Sequence, residues 1–409
     1  MTSTLFQNAT ILNTRAGALR EGAVLVRDGR IAEVSETTIP AARAERTIDL
    51  KGRVLMPGLC DGHVHVIAIT ASFPNLVRSS PFYVAARAAH ILEGMLMRGF
   101  TTVRDGGGAD FGIARAVDEG HLRGPRILFC GHALSQTGGH GDMRTPGERG
   151  IDVSYETPSL GIVCDGVAAV RRAAREEIRR GCHHVKIMAS GGVSSPTDRI
   201  DSDQFSREEI AAAVEEAADA NLYVMAHAYS ARSINRCIEL GVRTIEHGNL
   251  MDQSSCRLFL EHGAYLVPTL ATYHALKTEG LANGLSNDML AKLDDVLEAG
   301  GFALELAQRA GVTMVYGTDL LGDMHRHQLT EFDLRKDVVP AADLIRAATC
   351  NAADAFMRPR EFGEVAEGFR ADLLVSAGNP LEDITVMTRP EENLLAIMKD
   401  GRFHKNLLN

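Results

Sequence analysis

The chain has 409 residues, too many for one small core and enough for a large α/β domain with an accessory one. Hydrophobic residues make up 45% and charged ones 23%, and no run of about 18 apolar residues offers a membrane span. The net charge of -10, with no Lys/Arg-rich block, leaves no electrostatic footprint for a nucleic-acid partner.

From the N-terminus, "TLFQNATILN", "GAVLVRDGRIAEVS" and "TIDLKGRVLMPG" read as short strands, with Asp28 and Gly29 as a hairpin signal. The same texture returns in "FGEVAEGFRADLLVSAG" and "ENLLAIMKDGRFHKN", where Asp400 and Gly401 sit between apolar runs. The two ends are therefore expected to pair into one sheet, forming a small β-sandwich domain of residues 1–56 and 361–409. Between them, apolar β-rich runs alternate with amphipathic helical segments, the sign of parallel βα units. The runs are "CDGHVHV", "GFTTVRD", "RILFCGH", "HHVKIMAS", "LYVMAHA", "VRTIEHG", "AYLVPTL" and "VTMVYGTD". Helices are expected over "YVAARAAHILEGMLMRG", "VAAVRRAAREEIRRG", "REEIAAAVEEAADA" after a Ser206/Glu209 capping box, "ARSINRCIELG" and "DMLAKLDDVLEAGGFALELAQRAG". This pattern predicts a (β/α)8 TIM barrel over residues 57–360. Residues 133–165, rich in Gly, Ser and Thr, are expected as a long functional loop. Seven scattered cysteines without a CxxC argue against disulfides and against a cysteine zinc site. With no secretory pattern in "MTSTLFQNATILN", a cytoplasmic location is expected.

In such a barrel the active site gathers at the C-terminal ends of the strands. His63 and His65, two apart on a strand, point to the same side. The fourth run contains Lys186, the fifth ends at His227, the sixth at His247 and the eighth at Asp319. Each residue alone has a plain reading: a strand histidine is usually a hydrogen-bonded structural residue, Asp319 could cap the next segment, and Lys186 could pair with a core carboxylate. Together, five imidazole or carboxylate side chains plus Lys186, at the ends of five different predicted strands, point to a divalent metal. An ammonium cannot ligate a cation, but a buried lysine with a depressed pKa can add carbon dioxide. The resulting carbamate has two oxygens suited to bridging two ions, so Lys186 predicts a binuclear site.

The order "GHVHV", "HVKIMAS", "AHAYS", "IEHGN" and "YGTD", with split terminal β-segments and "GFRADLLV", resembles the amidohydrolase superfamily over essentially the whole chain. The resemblance implies two divalent ions, zinc being the expected metal, with manganese and cobalt as alternatives that also accept imidazole and carboxylate. His63 and His65 would hold one with Asp319, His227 and His247 the second, and N6-carboxylysine at Lys186 would bridge them. A metal-bridging hydroxide would attack an amide carbonyl, with Asp319 taking the proton and returning it to the leaving nitrogen. The glutamate that ring deaminases of the superfamily place three residues after the fifth-strand histidine is absent, Ser230 standing there.

More narrowly, "SQTGGHGD" and "AHAYS" resemble the Xaa-Pro dipeptidase and metal-dependent carboxypeptidase branch, close to imidazolonepropionase-like proteins and to amidases of N-acyl amino acids such as ochratoxin. That implies His140 on the scissile carbonyl or oxyanion, and Tyr229 on the substrate's C-terminal carboxylate. A solvent-facing loop histidine and a packed aromatic are the plain readings of these two. Arg326 either clamps a carboxylate or pairs with Asp323 or Glu331. His183 and His184 are expected in solvent or packing roles, Cys60 and Cys130 in the core. Asp61 is either an acceptor for a ligand histidine or a plain inward polar residue. The expected substrate is a small molecule, a dipeptide or an N-acyl amino acid. The alternatives are a lactone, ester or imidazolone-type ring hydrolase and, last, a non-catalytic binding protein. Barrels of this size often associate into homo-oligomers.

Overall fold

The computed structural model describes residues 3–145, 147–148, 150, 154–195 and 197–408. Pro146, Arg149 and residues 151–153 of the expected long loop lie outside the described residues. In chain order the strands are β1 (Ser3–Asn13), β2 (Ala18–Arg27), β3 (Arg30–Ser35), β4 (Arg46–Asp49), β5 (Val54–Pro57), β6 (Leu59–Val64), β7 (Phe100–Asp105), β8 (Arg126–Leu128), β9 (Ala133–Ser135), β10 (Gly161–Val163), β11 (Val185–Met188), β12 (Val224–Ser230), β13 (Thr244–Leu250), β14 (Tyr265–Val267), β15 (Leu373–Ser376), β16 (Leu394–Lys399) and β17 (Arg402–Asn406). The chain divides into two compact units, one of Met1–Asp61, Glu93–Thr102 and Leu329–Asn409, the other of Gly62–Leu92 and Val103–Gln328.

In the first unit both chain ends build one sheet in the order β17-β16-β15-β5-β1-β2-β3, with β4 also on β1. Both predicted two-residue turns form: Asp28 and Gly29 (φ 48° and 79°) and Asp400 and Gly401 (47° and 74°) take the left-handed region that a tight hairpin needs. The two ends pair, as expected, into one hydrogen-bonded sheet, and it has eight strands. The reason lies in β1, whose 11 residues serve two parallel partners in turn, β4 beside Thr4–Gln7 and β5 beside Thr10–Ile11. A bulge between Phe6 and Ala9, with Asn8 at φ 51°, shifts the register between these halves. Ile11, Val24, Leu55, Leu373, Ala396 and Met398 bury one continuous apolar cluster on this sheet.

In the second unit a parallel sheet runs β10-β9-β11-β12-β13-β14, and β6, β7 and β8 form a separate three-stranded sheet. The segment expected as a loop thus contributes two short strands, β9 and β10, to the larger sheet. The eighth apolar run makes an isolated parallel bridge, Met314 to Leu266. Its other backbone bonds go the opposite way, from Gly62 N–H to Tyr316 O (2.7 Å) and from Asp319 N–H to His63 O (2.7 Å). Three consecutive runs are followed by helices: Arg207–Asp219 after β11, with the Ser206/Glu209 box closed in both directions, then Ala231–Glu239 after β12 and Gln253–His262 after β13. The long helical stretch near residue 300 splits at Lys292 into Asn287–Ala291 and Leu293–Ala310. All seven cysteines are free and buried, and no described helix is long and apolar enough to cross a membrane.

Candidate active site

His63 lies in β6 and His65 one residue past its end, with ring centroids 5.3 Å apart. Asp319 meets them there: its Oδ1 lies 3.1 Å from His65 Nε2 and 3.5 Å from His63 Nε2. One ligand atom from each of the three lies within 4.8 Å of the others, a group that could hold a metal ion. Asp319 sits at φ 51° and His247 at 71°, a backbone region that non-glycine residues seldom adopt and that clusters at functional sites. Gly106 makes room for the group, since a Cβ there would stand 2.9 Å from His63 Nε2.

Lys186 is buried in β11, His227 in β12 and His247 in β13. Parallel pairing sets Met188 beside His227 and Ala228 beside His247. His247 stands 4.5 Å from the His227 ring and 5.0 Å from the His63 ring, so these imidazoles converge on the first group. Each of the four is held through one nitrogen: His63 Nδ1 on Glu246 (2.9 Å), His65 Nδ1 on Gly107 O (2.9 Å), His227 Nε2 on Gly191 O (2.9 Å) and His247 Nδ1 on Thr269 Oγ1 (2.8 Å). An outer partner on one ring nitrogen is how a metal-ligating histidine is oriented, the opposite nitrogen being turned to the ion.

Burial disfavours charge on the bases here. It pushes His63 and His227 well below the usual imidazole value and His247 down to about 3. Burial also lowers the Lys186 ammonium to about 8, against the pull of Glu246 and Asp319. For Asp319, burial works toward a higher pKa, but the hydrogen bond and charge of His65, with His247 and Lys186, outweigh it and hold the carboxyl low.

Several supporting residues escaped the sequence reading. Arg104, fully buried, donates to Gly62 O (2.7 Å), Thr244 Oγ1 (2.9 Å) and Glu246 Oε1 (2.9 Å), and Glu246 passes that order to His63. Asp105 accepts from the N–H groups of Val66, Gly107 and Ala109, fixing the turn whose Gly107 carbonyl holds His65. The signal was present as charged residues inside runs otherwise apolar, "TTVRD" and "RTIEHG". Asp61 is buried, and the acceptor seen on His63 Nδ1 is Glu246.

The cavity over this cluster is lined by His140, Tyr229 and Tyr273 beside Phe73, Leu160, Val193, Leu276 and Leu321. His140 stacks on His227 at 4.2 Å, so it is not a solvent-facing loop residue. Tyr229 Oη is 2.9 Å from Tyr273 Oη, and burial pushes its phenol well above the usual value, leaving it a neutral donor. Arg326 is not brought to the cavity: it turns outward to Glu279 and to Asp323 O (2.7 Å), pairing with neither carboxylate foreseen for it. The helix Leu270–Glu279 brings Glu279 beside the turn that carries Arg326, a juxtaposition no local pattern displays. His184 is buried with Nε2 3.1 Å from Asp105 O, and Cys60 and Cys130 lie in the core.

A model described as the amidohydrolase family matches residues 54–403. Ochratoxinase of Aspergillus niger is 33% identical over 402 residues, 95% of this chain and 83% of that protein. Among solved structures, a prolidase complexed with N-methylphosphonate-L-proline is 44% identical with a TM-score of 0.96, covering 99% of this chain and 100% of that one. A Xaa-Pro dipeptidase with methionine bound in the active site is 28% identical with a TM-score of 0.89 over 99% of this chain and 100% of that one. The histidines, lysine and aspartate thus converge in a chain whose matched region takes in all of them, and the chain belongs to the amidohydrolase family, as a hydrolase acting on C–N bonds.

Proposed function

We propose that this protein hydrolyses the amide bond of dipeptides or N-acyl amino acids and releases an amino acid with a free carboxylate. The observation that carries this reading is one cavity walled by five imidazoles, Lys186, Asp319 and the phenols of Tyr229 and Tyr273. The prolidase ligand contains L-proline and the Xaa-Pro dipeptidase holds methionine, both amino acids.

The donor set fits two divalent ions, with zinc as the proposed metal. His63, His65 and Asp319 would hold one and His227 and His247 the other. Lys186, buried and lowered to about 8, has the amine chemistry to form the bridging N6-carboxylysine. Such a pair of ions, when bound, lowers the pKa of water toward neutrality and polarises a carbonyl. The chain's own residues supply the rest. Asp319 holds the transferred proton on its carboxylate and delivers it to the leaving nitrogen. His140 faces the carbonyl oxygen. Tyr229 donates its O–H to the carboxylate, and the apolar rim of Phe73, Leu160, Leu276 and Leu321 excludes water. Around this site we propose a (β/α)8 barrel over residues 57–360, supported by the backbone bonds of the 312–319 run to Leu266 on one side and to Gly62 and His63 on the other. The small β domain would take residues 1–56 and 361–409, and a cytoplasmic location is proposed from the cysteine usage.

The test is a screen of dipeptides and N-acyl amino acids on zinc-loaded enzyme, scored for release of the C-terminal residue. Turnover of carboxylate-bearing substrates is expected. Turnover confined to lactones, esters or imidazolone-type rings would replace this reading. Tyr229→Phe is expected to raise KM for carboxylate-bearing substrates about tenfold at similar kcat, the cost of one hydrogen bond to a charged group. An unchanged KM would remove Tyr229 from carboxylate binding.

A further inference from the structure

Residues 189–195 and 197–204, which leave β11 beyond Lys186, wrap around one buried carboxylate, Asp198. Its Oδ2 accepts from Gly192 N–H (3.2 Å) and Gln204 Nε2 (3.0 Å), while its Oδ1 accepts a short bond from the Ser195 hydroxyl. Lys292, at the break between the two helices, reaches in and donates to the carbonyls of Gly192 (3.3 Å), Ser195 (3.1 Å) and Asp198 (2.7 Å). Gln204 also fixes the other side, its Oε1 accepting from His140 N–H at 2.8 Å. Ser195 Oγ then lies 2.9 Å from His140 Nδ1, and Asp198 Oδ2 lies 3.4 Å from the same atom. Gly192 has to be a glycine for this approach, because a Cβ there would stand 2.2 to 2.7 Å from the His140 ring.

The direction of the chain of bonds follows from what each group can do. A carboxylate only accepts, so the single Ser195 proton goes to Asp198; the other acceptor near it, Gly192 O, is farther at 3.4 Å. The Ser195 oxygen must then accept, and the proton between it and His140 sits on Nδ1. No hydrogen bond to Nε2 is made among the described residues, and the ring lines the cavity.

We propose that Asp198, acting through Ser195, is the positioning residue for His140: it keeps the proton on Nδ1 and makes Nε2 the ring atom that meets the substrate. The part of this proposal that concerns turnover rests on the amide-hydrolysis reading; the part that concerns the ring does not.

Asp198→Asn separates positioning from scaffolding. Two donors already point at the Oδ2 position, so the amide oxygen belongs there and the NH2 group falls at Oδ1, facing Ser195. Ser195 then receives a proton from Asn and gives its own to His140, which reverses the tautomer while shape is kept. Zinc-loaded full-length protein, 15N-labelled at histidine, is compared as wild type, Asp198→Asn and Ser195→Ala by side-chain 1H–15N correlation. The His140 signal is assigned by its loss in His140→Gln. The expected result is a protonated Nδ1 in the wild type and an unprotonated one in Asp198→Asn. In that variant kcat falls about 10²-fold, the scale of one oxyanion donor, with KM within about twofold and zinc content unchanged. Nδ1 still protonated in Asp198→Asn overturns the proposal, whether activity is retained or is lost together with zinc or thermal stability. A wild type that turns over no dipeptide or N-acyl amino acid overturns the functional reading, and the Nδ1 signal still decides the role of Asp198.

Discussion

Asp319→Asn is expected to lower kcat by about 10³-fold while leaving the fold intact, within the range attributed to a positioned general acid–base group. Asparagine is the informative replacement because it tolerates the left-handed backbone that Asp319 occupies at φ 51°, where alanine would add strain of its own. It also keeps an oxygen for His65, whose Nε2 is 3.1 Å away. What it removes is the charge, and with it the capacity to take a proton and release it to a leaving nitrogen. That capacity depends on a carboxylate that stays ionised, and here burial, which alone would raise its pKa, is outweighed by the bond and charge of His65 with His247 and Lys186 behind it. Steady-state kinetics on a cleaved dipeptide, together with zinc content and melting temperature, checks the prediction. A kcat within about tenfold of wild type, at full zinc, would assign the proton transfer elsewhere.

The terminal sheet and the group of His63, His65 and Asp319 were readable because each leaves a local mark. Asp-Gly between alternating apolar residues dictates a hairpin, and His63 and His65 at strand spacing dictate a shared face. The eighth run was legible as an apolar β-type segment, and its backbone bonds run to Leu266 on one side and to Gly62 and His63 on the other. Arg326 misled for a different reason: an arginine after a strand-end aspartate is as good a surface ion-pair partner as a substrate clamp. Its choice of Glu279, 47 residues away, is settled by how a helix returns beside it. The outer partners of the site were invisible as a set. Arg104 and Glu246 lie 142 residues apart, with Asp198 between them in sequence, and only the fold sets the first two behind His63 and Asp198 behind His140. A charged residue in a buried strand is nonetheless a readable question, since burial demands a partner for it.

Arg104→Met is expected to destabilise the protein by about 3–5 kcal/mol, the cost of leaving a buried carboxylate without its counter-charge. Neither side chain of the pair has any solvent exposure, so water cannot replace the lost guanidinium. Glu246 would still be held by Thr244 Oγ1, but burial already drives its carboxyl upward and Arg104 is the first of the groups opposing that. Protonation is the cheapest response, and a protonated Glu246 no longer fixes the proton on His63 Nδ1, so zinc affinity should fall about 10- to 100-fold. The double variant Arg104→Met/Glu246→Met tests the two effects apart. An apolar pair in place of a buried ion pair restores most of the stability, since no charge is left stranded. Zinc affinity is not restored, because the thioether that replaces the Glu246 carboxylate offers His63 Nδ1 no comparable acceptor where an oxygen now stands 2.9 Å away. Urea unfolding of the metal-free protein and competitive zinc titration measure the two quantities separately. Recovery of both in the double variant would mean that Glu246 does not orient His63, and a single variant within about 1 kcal/mol of wild type would mean that the ion pair is not what holds these strands together.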